Sequence, residues 1–139
     1  MSLLRPTDMR NHYEALYVST IAQNAPLSVV AEIACSARIF NTEHNITGLL
    51  IFDGMRFCQQ LEGRQQDVLA LMERISKDAR HGNVVVFHQG SLAQRRFKDF
   101  SLAFTNVADV EVLSRLENLN GQAGVTAFIE LVATLDLED

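Results

Sequence analysis

The side chains best placed to do chemistry in this sequence are neutral and polar. Gln59 stands in the middle of Met55–Glu62 (MRFCQQLE), where period-two alternation puts it on the same strand face as Phe57 and Leu61. A buried amide must find hydrogen-bond partners or cost about 1–3 kcal/mol, so Gln59 serves either an internal hydrogen bond or a ligand. Tyr17 sits mid-strand in Tyr13–Ser19 (YEALYVS), a second polar group at a position the pattern buries. Asn41 follows an amphipathic segment and is either a helix C-terminal residue or a hydrogen-bonding partner for something bound nearby.

The reactive residue types lead nowhere comparable. Four histidines (His12, His44, His81, His88) and two cysteines (Cys35, Cys58) form no His-x-x-x-His, no Cys-x-x-Cys and no nucleophile elbow. They are expected to be surface histidines and reduced core thiols, with no metal site. No GxGxxG or P-loop is present, so a dinucleotide would have to be held in another way. An acylphosphatase-like hydrolase using Arg80 and Asn41 would need a phosphate-cradling loop, which the sequence lacks. The expectation is a protein that is not an enzyme.

These residues must be held by a small scaffold. The chain has 139 residues, 47% hydrophobic and 21% charged, with a formal net charge of -5, which describes one compact domain. An acidic chain without a basic run is unsuited to a phosphate backbone, so no nucleic-acid partner is expected. No apolar run reaches the roughly 18–20 residues of a membrane helix, and Met1–His12 lacks the apolar core of a signal peptide. The expected location is cytoplasmic.

Tyr13–Ser19 reads as a strand apolar on both faces. Residues 27–40 place Val30, Ile33, Ala34 and Ala37 on one helix face, with Pro26 in the first turn. Ile46–Phe52 and Met55–Glu62 flank Asp53-Gly54, a hairpin signal, and Gly63 ends the second strand. Gln66–Lys77 is a second amphipathic helix with Val68, Leu71, Met72 and Ile75 on one face. Asn83–His88 and Phe97–Phe104 complete a βαββαββ order, which predicts an α+β, ferredoxin-like fold: a five-stranded mixed sheet with two helices on one face. Val110–Leu119 and Val125–Leu137 are predicted helices, separated by Gly121 and Gly124, that cover the opposite face. No Lys or Arg follows Arg115, so this tail is an acidic cover or partner surface.

Five segments in this order resemble the BLUF domain, the flavin-binding sensor of blue light. They are Tyr17-Val18-Ser19; Asn41 with Asn45-Ile46-Thr47-Gly48-Leu49-Leu50; Phe57-Cys58-Gln59-Gln60-Leu61-Glu62-Gly63; Asp78-Ala79-Arg80-His81; and Arg95-Arg96-Phe97. The likeness defines a flavin-binding domain over residues 13–104 and leaves 105–139 as a helical extension, similar to short members of the family. It implies that FAD lies between the two helices, with Ile33 and Ile75 on either side of its ring, Asn41 at the ring's polar edge and Arg80 near the ribityl phosphate. FMN or riboflavin would suit the same ring site. It further implies that Tyr17 and Gln59 are the photoactive pair, Tyr17 giving an electron and a proton to the excited flavin and recovering them after Gln59 changes its hydrogen bonding. A neutral amide carries donors and acceptors on one planar group and can exchange them, as an ionised carboxylate cannot. The output would be a changed association, with a second copy in a homo-oligomer or with a separate effector protein.

Four positions depart from the family pattern. Ala37 stands where a serine is usual, Phe40 where a polar residue is common, and Phe100-Ser101-Leu102 where tryptophan and methionine commonly flank one residue. Leu102 lacks the adaptable thioether and Phe100 the indole N–H that could follow Gln59. A relay through Phe100 and Leu102 on the fifth strand is therefore expected to be weakened or rerouted. The alternative reading is a light-insensitive, flavin-binding or flavin-free interaction module of the same fold.

Overall fold

A computed structural model describes residues 12–98 and 100–135. Residues 1–11, Asp99 and the last four, including the end of the predicted Val125–Leu137 helix, lie outside the described residues. The chain runs β1 (His12–Ile21), α1 (Ser28–Glu43), β2 (Thr47–Phe52), β3 (Arg56–Gly63), α2 (Gln65–Ser76), β4 (His81–Leu92), β5 (Ala103–Asn106), α3 (Val110–Leu116) and α4 (Gly121–Val132). The sheet order is β4-β1-β3-β2-β5; β5 pairs parallel to β2, and the other neighbours pair antiparallel. This is the predicted ferredoxin-like arrangement with a fifth strand added at one edge.

Each face of the sheet has its own core. Alternation along β1 sends Ala15 and Tyr17 to one face, with Ile46, Leu61 and the α2 residues Val68 and Leu71. Leu16 and Val18 go to the other, with Cys58, Phe87 and the C-terminal residues Leu113, Leu116, Val125 and Phe128. On the first face α1 adds Val30, Ile33 and Ala34 against Leu50, Phe52 and Phe57. The two C-terminal helices therefore cover the face opposite α1 and α2, as their apolar periodicity predicts.

The hairpin turn is built from the Asp53 carboxylate, which accepts from the backbone N–H of Met55 (2.8 Å) and Arg56 (2.7 Å) while Gly54 takes φ 102°. At the far end of the molecule Gly124 does not interrupt the chain as predicted but lies inside α4. A Cβ there would come within 2.7 Å of the Phe87 ring, so glycine is what lets α4 lie close against β4.

The fifth strand differs most from expectation. It is Ala103–Asn106 rather than Phe97–Phe104. Phe97 and Phe100 look like strand residues because they are aromatic, yet they pack as loop residues into the core under α3 and α4, whereas Leu102 packs on the opposite side with Val30, Leu50 and Phe57. Since β2 lies between β5 and β3, the placing of Phe100 and Leu102 on a strand beside Gln59 is corrected. What ties this stretch to the rest is backbone: Gly48 N–H donates to Phe100 O (3.2 Å), Asn41 Nδ2 to Ser101 O (2.8 Å) and Arg38 Nε to Leu102 O (3.2 Å).

Candidate functional site

Tyr17 on β1 and Gln59 on β3 are direct cross-strand partners, 2% and 3% exposed, and the Tyr17 hydroxyl donates to Gln59 Oε1. The pairing of β1 with β4 slips between Leu16 and Tyr17 and again between Val18 and Thr20, so the tyrosine sits at an irregular part of an otherwise regular strand. Burial pushes the Tyr17 phenol above its ordinary pKa, with Cys58 and Asp78 adding to the shift, so it stays a protonated donor. With its Oε1 engaged, Gln59 keeps a buried Nε2 that has no partner among the described residues.

That amide belongs to the wall of a cavity of about 350 Å³ between α1 and α2, within the roughly 300–1,000 Å³ of ligand sites. Ile33 of α1 and Ile75 of α2 line it, as do Tyr17 and Gln59 from the sheet. Arg80, Asp78 and Ser36 form part of its rim: Arg80 Nη2 donates to Asp78 Oδ2 (2.6 Å) and to Ser36 Oγ (3.2 Å). The hydrogen bonds from Arg80 hold the Asp78 carboxyl below its usual range and keep a guanidinium in place at the opening.

Asn41 is not in the cavity wall. It lies in the last turn of α1, fully buried, because the helix runs three residues past the predicted end. Its Nδ2 is spent on Ser101 O, and its Oδ1 is a second buried polar atom without a partner. Each orphaned amide atom, Gln59 Nε2 at the cavity and Asn41 Oδ1 outside its wall, is costly unless something answers it.

The sequence reading missed Ser36 and Asp78 on the rim and misplaced His81. The histidine is buried rather than exposed, its Nδ1 2.8 Å from Ser19 Oγ and its ring stacked on Tyr17 with centroids 6.4 Å apart. Burial lowers its pKa against the opposing pull of Asp78, which favours the neutral ring at pH 7. The one available signal was its place after Arg80 in Asp78-Ala79-Arg80-His81. The cysteines also divide: Cys58 is a buried thiol, whereas Cys35 is exposed rather than in the core. No cluster of three or more potential metal ligands occurs among the described residues.

The slot is flanked by two isoleucines and carries a hydrogen-bonded phenol, an unpartnered amide and a cationic rim. It suits a flat heteroaromatic group with one polar edge and an anionic tail. Comparison with known proteins gives the class. The family profile described as BLUF, sensors of blue-light using FAD, matches residues 13–103. The chain belongs to this family of flavin-binding blue-light photoreceptors. It is 33% identical over 82 residues to the blue light- and temperature-regulated antirepressor BluF of Escherichia coli (strain K12), a match that covers 59% of this chain and 20% of the antirepressor's length. It superposes on the dark-state structure of the BLUF protein BlrB with TM-score 0.74 and 27% identity, covering 91% of this chain and 99% of that one. BlsA in its photo-activated state shares the fold, with TM-score 0.77 at 24% identity over 92% of this chain and 99% of the other. No helix among the described residues is long and apolar enough to cross a membrane.

Proposed function

We propose that this protein senses blue light through Tyr17 and Gln59, with FAD held between α1 and α2, and reports the event by changing an association with a second copy or a separate partner. The observation that carries the reading is the Tyr17 hydroxyl bonded to Gln59 Oε1 while Gln59 Nε2 is left without a partner in the cavity wall. Ile33 and Ile75 would clamp the two faces of the ring. Asn41 would offer its free Oδ1 to a ring N–H, and Arg80 would stand at the phosphate end. FMN or riboflavin shares the ring and would lose only contacts at the rim.

When bound, the flavin supplies blue-light absorption and a one-electron acceptor. The chain supplies the rest. Tyr17 stays protonated and dry, so its proton and electron can leave and return together without exchange with solvent. Gln59, accepting from Tyr17 at one end, can exchange donor for acceptor only by turning or tautomerising its amide, and either change alters what it offers both neighbours. Output is proposed to leave through Phe100 and Leu102 by their backbone carbonyls rather than their side chains, because those carbonyls are the ones held by Gly48 and Arg38, with Asn41 holding Ser101 between them.

The test is to load the purified protein with FAD and illuminate it with blue light. A bound flavin whose blue absorption shifts red and relaxes in darkness supports the proposal. A protein that takes up no flavin contradicts it, and a loaded protein without a shift favours a light-insensitive module.

A further inference from the structure

We propose that Glu62, with Gln60 and Arg96, is a positioning group that couples the Tyr17–Gln59 pair to the C-terminal helix α4 through Phe97, on the sheet face away from the cavity. The inference rests on the reading of that pair as photoactive. Gln59 and Gln60 are consecutive on β3, so their side chains leave the strand on opposite faces and a displacement of the backbone at Gln59 carries Gln60 with it. Under the sheet Gln60 Nε2 donates to Glu14 Oε1 (3.2 Å) and Glu62 Oε1 (2.9 Å). Glu14 lies on β1, three residues before Tyr17 and directly opposite Glu62. Thus the two strands that carry the pair are joined by the same three side chains.

Glu62 is saturated. Its Oε1 accepts from Gln60 and from the backbone N–H of Arg96 (2.7 Å), and its Oε2 accepts from Thr47 Oγ1 (2.6 Å) and the backbone N–H of Phe97 (2.9 Å). Arg96 closes the set with a bidentate pair to Glu14, Nε to Oε1 at 2.9 Å and Nη2 to Oε2 at 3.0 Å. The backbone at Arg96 and Phe97 is therefore fastened to β3 by one fully buried carboxylate. The Phe97 ring meets Phe128 of α4 edge to face, with centroids 6.3 Å apart. Displacement of β3 at Gln59 reaches α4 in three contacts, with no part played by the Phe100 or Leu102 side chains.

Coupling through such a chain is shown only by breaking it and measuring the far end. Glu62→Gln is the sharpest break, because all four partners aim a donor at the carboxylate and an amide NH2 must face at least one of them. The measurement is light-minus-dark hydrogen exchange of the FAD-loaded full chain, read over Gly121–Val132, with the absorption shift recorded in parallel. The wild type should change exchange in α4 on illumination. Glu62→Gln should keep flavin, the red shift and wild-type dark exchange in β1 and β3, but reduce the α4 difference by about threefold or more. Phe97→Leu, which keeps both backbone bonds to Glu62 and loses the ring contact with Phe128, should do the same and serves if Glu62→Gln does not fold. An undiminished α4 difference in the folded variant, or a wild-type red shift with no exchange change in α4, overturns the coupling. A wild type with no red shift overturns the photoactive reading instead.

Discussion

The two faces of the sheet solve opposite problems with the same strands. Beneath the sheet, Phe128 and Leu113 fill the space under α3 and α4, and Glu62 has a partner for each of its four hydrogen bonds. Above it, α1 and α2 stand apart over a cavity of about 350 Å³, with buried amide atoms of Gln59 and Asn41 unanswered. The filled face also leaves Gln60 Oε1 and Arg56 Nε without hydrogen-bond partners among the described residues, so what marks the other face as the one built for binding is a cavity whose wall carries an unpaired amide, that of Gln59.

Substitutions on the filled face should cost stability and leave the flavin alone. Phe128→Ala, which empties a fully buried aromatic position, should lower unfolding free energy by about 3–5 kcal/mol in a urea titration, the largest effect expected in this chain. Gly124→Ala should cost about 1–3 kcal/mol, because the added methyl meets the Phe87 ring. On the open face the pattern should reverse. Ile75→Ala should weaken FAD binding by about tenfold in a fluorescence titration while costing the flavin-free protein only about 1 kcal/mol.

The smallest effect concerns acid. Burial would raise the Glu14 pKa, but hydrogen bonds from Arg96 and Gln60, with the charges of Arg96 and His88, outweigh it and hold the carboxyl below its ordinary value. A carboxylate with a folded pKa below its unfolded one stabilises fully above the unfolded value and loses that contribution as pH falls through the folded value. The urea midpoint should therefore drop from about pH 5 downward, and Glu14→Gln should flatten that drop, whatever its effect at neutral pH.

Local chemistry made much of this legible. Alternation around Asp53-Gly54 specified the hairpin, and the same alternation put Gln59 and Tyr17 where a polar side chain needs an explanation. What stayed hidden depends on contacts between distant residues. Phe97 and Phe100 have strand propensity, but the parallel ladder to β2 begins only at Ala103 opposite Leu49. Gly124 reads as a breaker until Phe87 is seen beside it. Asn41 reads as the end of a helix, and its partner Ser101 is 60 residues away. His81 reads as exposed because β4 starts three residues before its β-branched run. Around the cavity the strand residues were readable and the rim was not, since Ser36 and Asp78 come from a helix and a turn whose approach no local pattern encodes.

The central claim is that Gln59, bonded to Tyr17 and open on its other side, converts absorbed light into a changed hydrogen-bond pattern. The most direct measurement is the light-minus-dark absorption of FAD-loaded wild type beside Gln59→Leu at equal flavin occupancy. A reversible red shift in the wild type that vanishes in Gln59→Leu is the predicted result. A shift that survives in the variant would contradict the account.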